Sequence, residues 1–166
     1  MNMHFATIWE SYADQLGDVP AVIDGDKRLS WSQYDDRAAR VAAALTAAGL
    51  GPDDKSGLYL YNSAEYLEAH YASFKQRVVP INVNFRYLGN ELEYLLDNAD
   101  CKALFYHASL ADRVAEVVGN LRHRKRLTGH DAAQSIDFGL QAFECWRDSR
   151  FFGLGCQRGQ GGERQQ

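Results

Sequence analysis

Between residues 57 and 119 the sequence alternates three times between a short apolar run and a stretch of helical periodicity. Gly57-Leu58-Tyr59-Leu60-Tyr61 has strand length and almost no polar residue, the pattern of a strand covered on both faces. Asn62-Ser63 can cap a helix over 64–76, with Tyr66, Ala69, His70 and Ser73 to Phe74 on its inner side. Val78-Val79-Pro80-Ile81 is the second run, and Pro80, which has no N–H to donate, places it at an edge or a strand end. A loop over 82–87 leads to a helix over 89–98 with Leu92, Leu95 and Leu96 inside. Ala103-Leu104-Phe105-Tyr106 is the third run. Ser109 and Asp112 mark the start of a helix over 110–119 carrying Val114, Val117 and Val118. Three such units in succession predict an α/β fold, with a mainly parallel sheet and flanking helices.

Ahead of these units, Phe5, Ile8, Trp9, Tyr12 and Leu16 recur at three- and four-residue steps and predict a helix over 5–16, ended by Gly17. Ala21-Val22-Ile23 and Arg28-Leu29-Ser30-Trp31 flank an Asp24-Gly25 turn and read as a hairpin. Ser30 and Gln33 form a capping box for a helix to about Ala48, buried through Tyr34, Ala38, Val41, Leu45 and Ala48. Gly49-Leu50-Gly51-Pro52 stops it.

Beyond Leu121 the character changes. Residues 1–121 hold 10 Lys+Arg and 17 Asp+Glu, a net charge of −7, whereas 122–166 hold 8 and 5, a net of +3. All nine Tyr, all three Pro and every Val lie in the first part, while seven of the 14 Gly lie in the second. Gln134 to Trp146 retains some helical spacing, anchored by Ile136, Leu140 and Phe143. Gly153 to Gln166 has little to bury and reads as disordered. The net charge of the whole chain, −4, excludes the strongly basic footprint of a nucleic-acid binder. No secretory signal and no membrane-spanning stretch is visible, and Cys101, Cys145 and Cys156 lack zinc spacing, so free thiols in the cytoplasm are expected.

Several strings taken together resemble the N-terminal part of the AMP-binding, adenylate-forming enzymes. They are Leu29-Ser30-Trp31-Ser32-Gln33-Tyr34; Gly57 through Tyr66; Phe74-Lys75 through Val79-Pro80-Ile81-Asn82; Glu91 through Ala99; and Lys102-Ala103-Leu104-Phe105. The tone is that of the fatty acyl-CoA synthetases, and Asn82-Val83-Asn84-Phe85-Arg86-Tyr87 resembles a bacterial member. The resemblance covers about residues 5–121 and implies a partial N-terminal subdomain of an adenylate-forming enzyme. Two departures stand out. Ser56 occupies an apolar strand position, where an unpaired hydroxyl costs up to a few kcal/mol unless it is exposed. Gln76-Arg77 replaces a small Ala-Gly pair.

The family resembled here converts a carboxylate and ATP to an acyl-adenylate, which CoA then captures. It holds phosphates with a Ser/Thr/Gly-rich loop ending in Pro-Lys-Gly. Gly153-Leu154-Gly155, Gly159 and Gly161-Gly162 lack the Ser/Thr and the following Lys, and the ribose, adenine and late-lysine motifs are also absent. The resemblance therefore implies fatty acid, ATP, Mg2+ and CoA for the complete family, and no cofactor and no adenylation for this chain. The expected organisation is a family fragment over 1–121 and a divergent tail over 122–166, possible as out-of-frame translation. The alternative is a non-catalytic binding module, or one complementing a second polypeptide that carries the missing motifs. A sheet fragment with open edges and exposed apolar faces is expected to be poorly soluble or molten.

No residue is assigned a catalytic, cofactor-binding or metal role; the other constellations have plainer readings. Asp24, Asp26, Asp35 and Asp36 fit no calcium loop and read as solvated turn and helix-start charges. His70 and His107 are acid–base candidates without a partner nucleophile; His107 is the better placed, because ligands bind at the carboxyl ends of strands in open sheets. Cys101 reads as a small core hydrophobe. Tyr59, Tyr61, Tyr66 and Tyr71 are candidate walls of an acyl pocket, although such spacing also makes core. Arg122 to Arg126 reads as an incidental basic stretch rather than a lipid or nucleic-acid contact.

Overall fold

A computed structural model describes residues 4–121, 142–147 and 150–155. Helix α1 (Phe5–Leu16) leads into a hairpin of β1 (Pro20–Asp24) and β2 (Lys27–Ser30), followed by α2 (Trp31–Ala47). Three strand–helix units follow: β3 (Lys55–Tyr59) with α3 (Ala64–Lys75), β4 (Val79–Asn82) with α4 (Gly89–Asn98), and β5 (Cys101–Tyr106) with α5 (Ala111–Val118). Strands β6 (Ala142–Arg147) and β7 (Arg150–Gly155) complete the described chain.

The main sheet has the order β4-β3-β5-β6-β7. β3 is parallel to β4 and to β5, so Gly57 sits beside Ile81 on one side and Leu104 on the other. β6 is antiparallel to β5, and β7 to β6, with Arg147 opposite Arg150. Pro80 lies on the edge strand, as its missing N–H requires.

Period-two alternation sends β3 and β5 side chains into two cores. Leu58, Ala103 and Phe105 pack with Val41 and Leu45 of α2 and Ala69 and Ala72 of α3. Tyr59, Leu104 and Tyr106 face the other way, against Leu92 and Leu96 of α4 and Val114 and Val117 of α5. A third cluster lies outside α2 and α3, where Ala6, Val22, Leu29, Tyr34 and Tyr71 join α1 and the hairpin to them. Completely buried leucines such as Leu45, Leu58, Leu92 and Leu104 each contribute about 2 kcal/mol of transfer free energy. Gly57 sets the spacing of α4 over the sheet. A Cβ there would lie 2.8 Å from Leu104 Cδ1 and 3.2 Å from Leu96 Cδ2.

Local signals explain the boundaries. Ser30 and Gln33 make the expected capping box, and the Ser63 hydroxyl accepts from the Tyr66 N–H. Gly25 takes φ +55° in the hairpin turn and Gly49 takes φ +81° after α2. The expected strand over 57–61 begins two residues earlier, at Lys55, because the ladder to β4 and β5 starts there. Ser56 is neither exposed nor unpaired. It is fully buried and donates to Ser73 Oγ at 3.0 Å, and Ser73 donates in turn to the Ala69 carbonyl at 2.8 Å. Arg77, in place of glycine, holds φ +59°, a left-handed conformation in which a Cβ is strained.

Two other expectations are corrected. Ser109 does not start the last helix. Residues Ala108–Leu110 form a 3-10 turn capped by His107, and α5 begins at Ala111 without a side-chain cap. The helical spacing read over 134–146 gives way to strand at Ala142–Arg147, and Gly153–Gly155 closes β7. Pairing with the open edge of β5 satisfies backbone groups in a way that a local periodicity count does not weigh. The remaining tail residues, Arg122–Arg126 included, lie outside the described residues.

Candidate functional site

The three parallel strands end on the same side, and the segments that leave them meet there. The chain beyond β3 brings Tyr61, the loop after β4 brings Phe85 and Tyr87, and the exit from β5 brings His107 and Ser109. Tyr61 packs at 5.0 Å from the Phe85 ring and 4.8 Å from the His107 ring, edge-on to the latter. Its hydroxyl lies 3.4 Å from Ser109 Oγ. Tyr59 donates to the Tyr87 carbonyl at 2.6 Å, and Arg113 of α5 donates to the Phe85 carbonyl at 2.9 Å. Arg86 stands over the Phe85 ring at 5.5 Å. The result is an aromatic wall with two guanidinium groups beside it.

His107 does reach the carboxyl end of β5, but as a cap. Its Nδ1 accepts the Ser109 N–H at 3.1 Å and lies 2.8 Å from the Ser109 hydroxyl. That nitrogen is therefore engaged by the turn that follows β5. His70 lies away from this end, on α3, with Phe74 at 4.6 Å and Tyr66 at 6.0 Å; burial holds its pKa below the usual histidine value.

The four candidate tyrosines are not brought together. Tyr59 is fully buried among the α4 and α5 leucines and valines. Tyr71 is buried in the third cluster and donates to Asp35; burial first and then that carboxylate push its pKa upward. Tyr66 lines a pocket of about 340 Å³ between the hairpin and the start of α3. Val22, Ile23, Ala64 and Leu67 give it apolar walls, and Asp24 closes one end by accepting the Ala64 N–H at 2.9 Å.

The aspartates are likewise dispersed. Asp24 caps α3, Asp35 holds Tyr71 and Lys75, and Asp36 pairs with Arg40 at 3.0 Å. Among the described residues no group of three or more His, Cys, Asp or Glu is placed to hold a metal ion. Cys101 is buried and its thiol is pushed up to about 12, chiefly by burial, which suits a core position.

Sequence reasoning missed one polar centre. Glu68 of α3 is 1% exposed and takes a two-pronged contact from Arg37 of α2, Nε to Oε1 at 2.6 Å and the second nitrogen to Oε2 at 3.0 Å. Lys27 of β2 lies 3.9 Å from the same carboxylate and also holds Glu65. The signal was available. Glu68 lies one helical repeat from Ala64 and from Ala72, on a buried face.

The AMP-binding enzyme family model matches residues 9–147. This chain belongs to that family. The matched span runs past Leu121, so the change of composition there falls inside it. The chain is 40% identical over 125 residues to the medium-chain acyl-CoA ligase Mig of Mycobacterium avium, covering 68% of this chain and 23% of that protein. It is 40% identical over 121 residues to a medium/long-chain-fatty-acid–CoA/3-oxocholest-4-en-26-oate–CoA ligase of Mycobacterium tuberculosis, covering 73% and 22%. Among solved structures it resembles the N-terminal domain of FACL13 from Mycobacterium tuberculosis, with a TM-score of 0.68 and 23% identity over 71% of this chain and 31% of that one. The chain thus spans under a quarter of the length of these two relatives. Its fold is that of the N-terminal domain of adenylate-forming enzymes. Among the described residues no helix is long and apolar enough to cross a membrane.

Proposed function

We propose that this chain is an N-terminal segment of a fatty acyl-CoA ligase. In the complete enzyme, a medium- or long-chain fatty acid reacts with ATP to give an acyl-adenylate and then with CoA to give the thioester. The observation that carries this is the 40% identity, over 121 to 125 aligned residues, to a medium-chain acyl-CoA ligase and a medium/long-chain-fatty-acid–CoA ligase. The aromatic wall at the carboxyl ends of β3 and β5 supports the same reading, because ligands of open α/β sheets bind on that side.

By itself the chain does not adenylate. None of its 166 residues forms a Ser/Thr/Gly-rich loop ending in Pro-Lys-Gly, and phosphoryl chemistry depends on such positioned donors and cations. The same reading takes 1–121 as the ligase fragment and 122–166 as a divergent tail in the cytoplasmic product. The composition change supports that boundary, and the family match to residue 147 weighs against it. The nucleotide sequence decides: a Pro-Lys-Gly loop in another frame past codon 121 supports an out-of-frame tail, and its absence from both refutes one.

The functional test is a chimera. Residues 5–121 replace the matching segment of the Mycobacterium avium ligase, and fatty-acid-dependent ATP–pyrophosphate exchange is measured. Exchange is expected from the chimera and none from the 166-residue chain. A folded chimera without exchange refutes the ligase assignment, and exchange by the chain alone refutes its inactivity.

A further inference from the structure

Phe74 is one of the points at which α1 meets α3, beside the Trp9–Tyr71 and Glu10–Lys75 contacts. Phe5 stacks on it at 5.4 Å and Trp9 lies at 5.7 Å. Two histidines also touch this ring, His4 edge-on at 5.9 Å and His70 at 4.6 Å. His4 is the N-cap of α1. Its Nδ1 accepts the Ala6 N–H at 3.2 Å, and the Arg77 guanidinium approaches the same nitrogen. Both contacts require that nitrogen to carry no proton. Ala6 is the one fully buried residue of α1, and Phe5, Tyr12 and Leu16 are exposed, so beyond its first turn the helix depends on Trp9, 5.0 Å from the Tyr71 ring, and on the Glu10–Lys75 ion pair.

We propose that α1 is an acid-released latch: protonation of His4, together with His70 against the same Phe74 ring, removes the cap of α1, gathers positive charge beside Arg77 and loosens α1 from α3. The charges facing His4 are Arg77, which follows α3, and Glu10 on α1. Glu10 is already engaged by Lys75 at 2.9 Å, and Lys75 is shared with Asp35 of α2 at 2.8 Å. His70 faces Tyr66 and Phe74 on its own helix. A cation at a helix N-terminus also opposes the positive end of the helix dipole. Burial and then Arg77 hold His4 below its ordinary value, against the pull of Glu10, and burial does the same to His70. The folded chain therefore binds fewer protons than the unfolded chain below about pH 6.5. The latch is intact above that pH and weakens as pH falls through the lowered folded pKa values.

Amide hydrogen exchange on the 166-residue chain at pH 7.5 and 5.0, corrected for intrinsic rates, tests this. Protection of the first turn of α1 is expected to fall about fivefold more than that of α4 at pH 5.0, the loss of one cap. The double variant His4→Asn/His70→Gln keeps a cap that does not titrate and is expected to lose this pH dependence. Arg77→Gly removes the neighbouring cation, and the midpoint is expected to move to higher pH. Equal loss of protection in α1 and α4, full pH dependence in the double variant, or an unmoved midpoint in Arg77→Gly overturns the latch.

Discussion

Removing Arg37 strips Glu68 of its closest charge partner. Glu68 is 1% exposed, so in Arg37→Met its carboxylate keeps only Lys27, at 3.9 Å. Stripping one partner from a buried ion pair costs about 3–5 kcal/mol. Lys27 can slide toward the vacated position, which places the expected loss near the lower end, about 3 kcal/mol. The reverse variant, Glu68→Met, costs less, about 1–2 kcal/mol, because Arg37 is 26% exposed and its guanidinium can turn to water. The double variant Arg37→Met/Glu68→Met is expected within about 1 kcal/mol of the parent, since packed apolar groups replace a buried pair at little net cost. In thermal melts of a domain this size the Arg37 loss corresponds to roughly 10 °C in Tm. Urea titration of all four proteins gives the coupling energy directly. If Arg37→Met melts within about 2 °C of the parent, or the double variant is no better than Arg37→Met, the ion pair does not hold the hairpin, α2 and α3 together.

Three other outcomes are expected. Gly57→Ala forces a Cβ to within 2.8 Å of Leu104 and should cost about 1–3 kcal/mol, read as a lower urea midpoint at unchanged slope. Arg77→Gly relieves the left-handed strain and should raise stability by about 1 kcal/mol; a fall would show that the side chain matters more than its backbone. On the acid side, burial would raise the Glu65 pKa, but the Lys27 and Ser63 contacts and a backbone N–H outweigh it and hold it below the ordinary value. Its contribution is complete above the unfolded pKa near 4.5 and is lost as pH falls through the lower folded value. Lys27→Met should flatten stability in that window.

The elements that could be read from residues were those with a local cause. The Ser30–Gln33 box, the Ser63 cap and Gly49 acted through neighbours three or four residues away, and each boundary fell where that chemistry placed it. What the sequence could not show was pairing between distant segments. Ser56 was a puzzle until Ser73 stood beside it, and although its spacing put Glu68 on a buried face, its partner Arg37 lies a helix away. The helical spacing misled over 142–146, the described part of the 134–146 stretch, because β6 answers to the edge of β5 rather than to its own spacing. The candidate site was half legible. His107 and Tyr61 were both named, and the structure brings them into contact, yet the capping role of His107 depends on Ser109 two residues on and on a turn that no periodicity announces.

The position of β3 between β4 and β5 has a consequence for synthesis. The first strand of the main sheet to leave the ribosome is this interior one, and neither neighbour exists when it emerges. One side is filled once residue 82 is free and the other only when Tyr106 is, so for the time needed to add the 47 residues between paired positions Leu58 and Tyr59 wait with a bare backbone flank. Elongation at roughly 5–20 residues per second makes that a pause of a few seconds, long against hairpin formation and ample for capture by a chaperone. The two-stranded hairpin and α2 have no such wait, which makes them the first part of the chain able to settle.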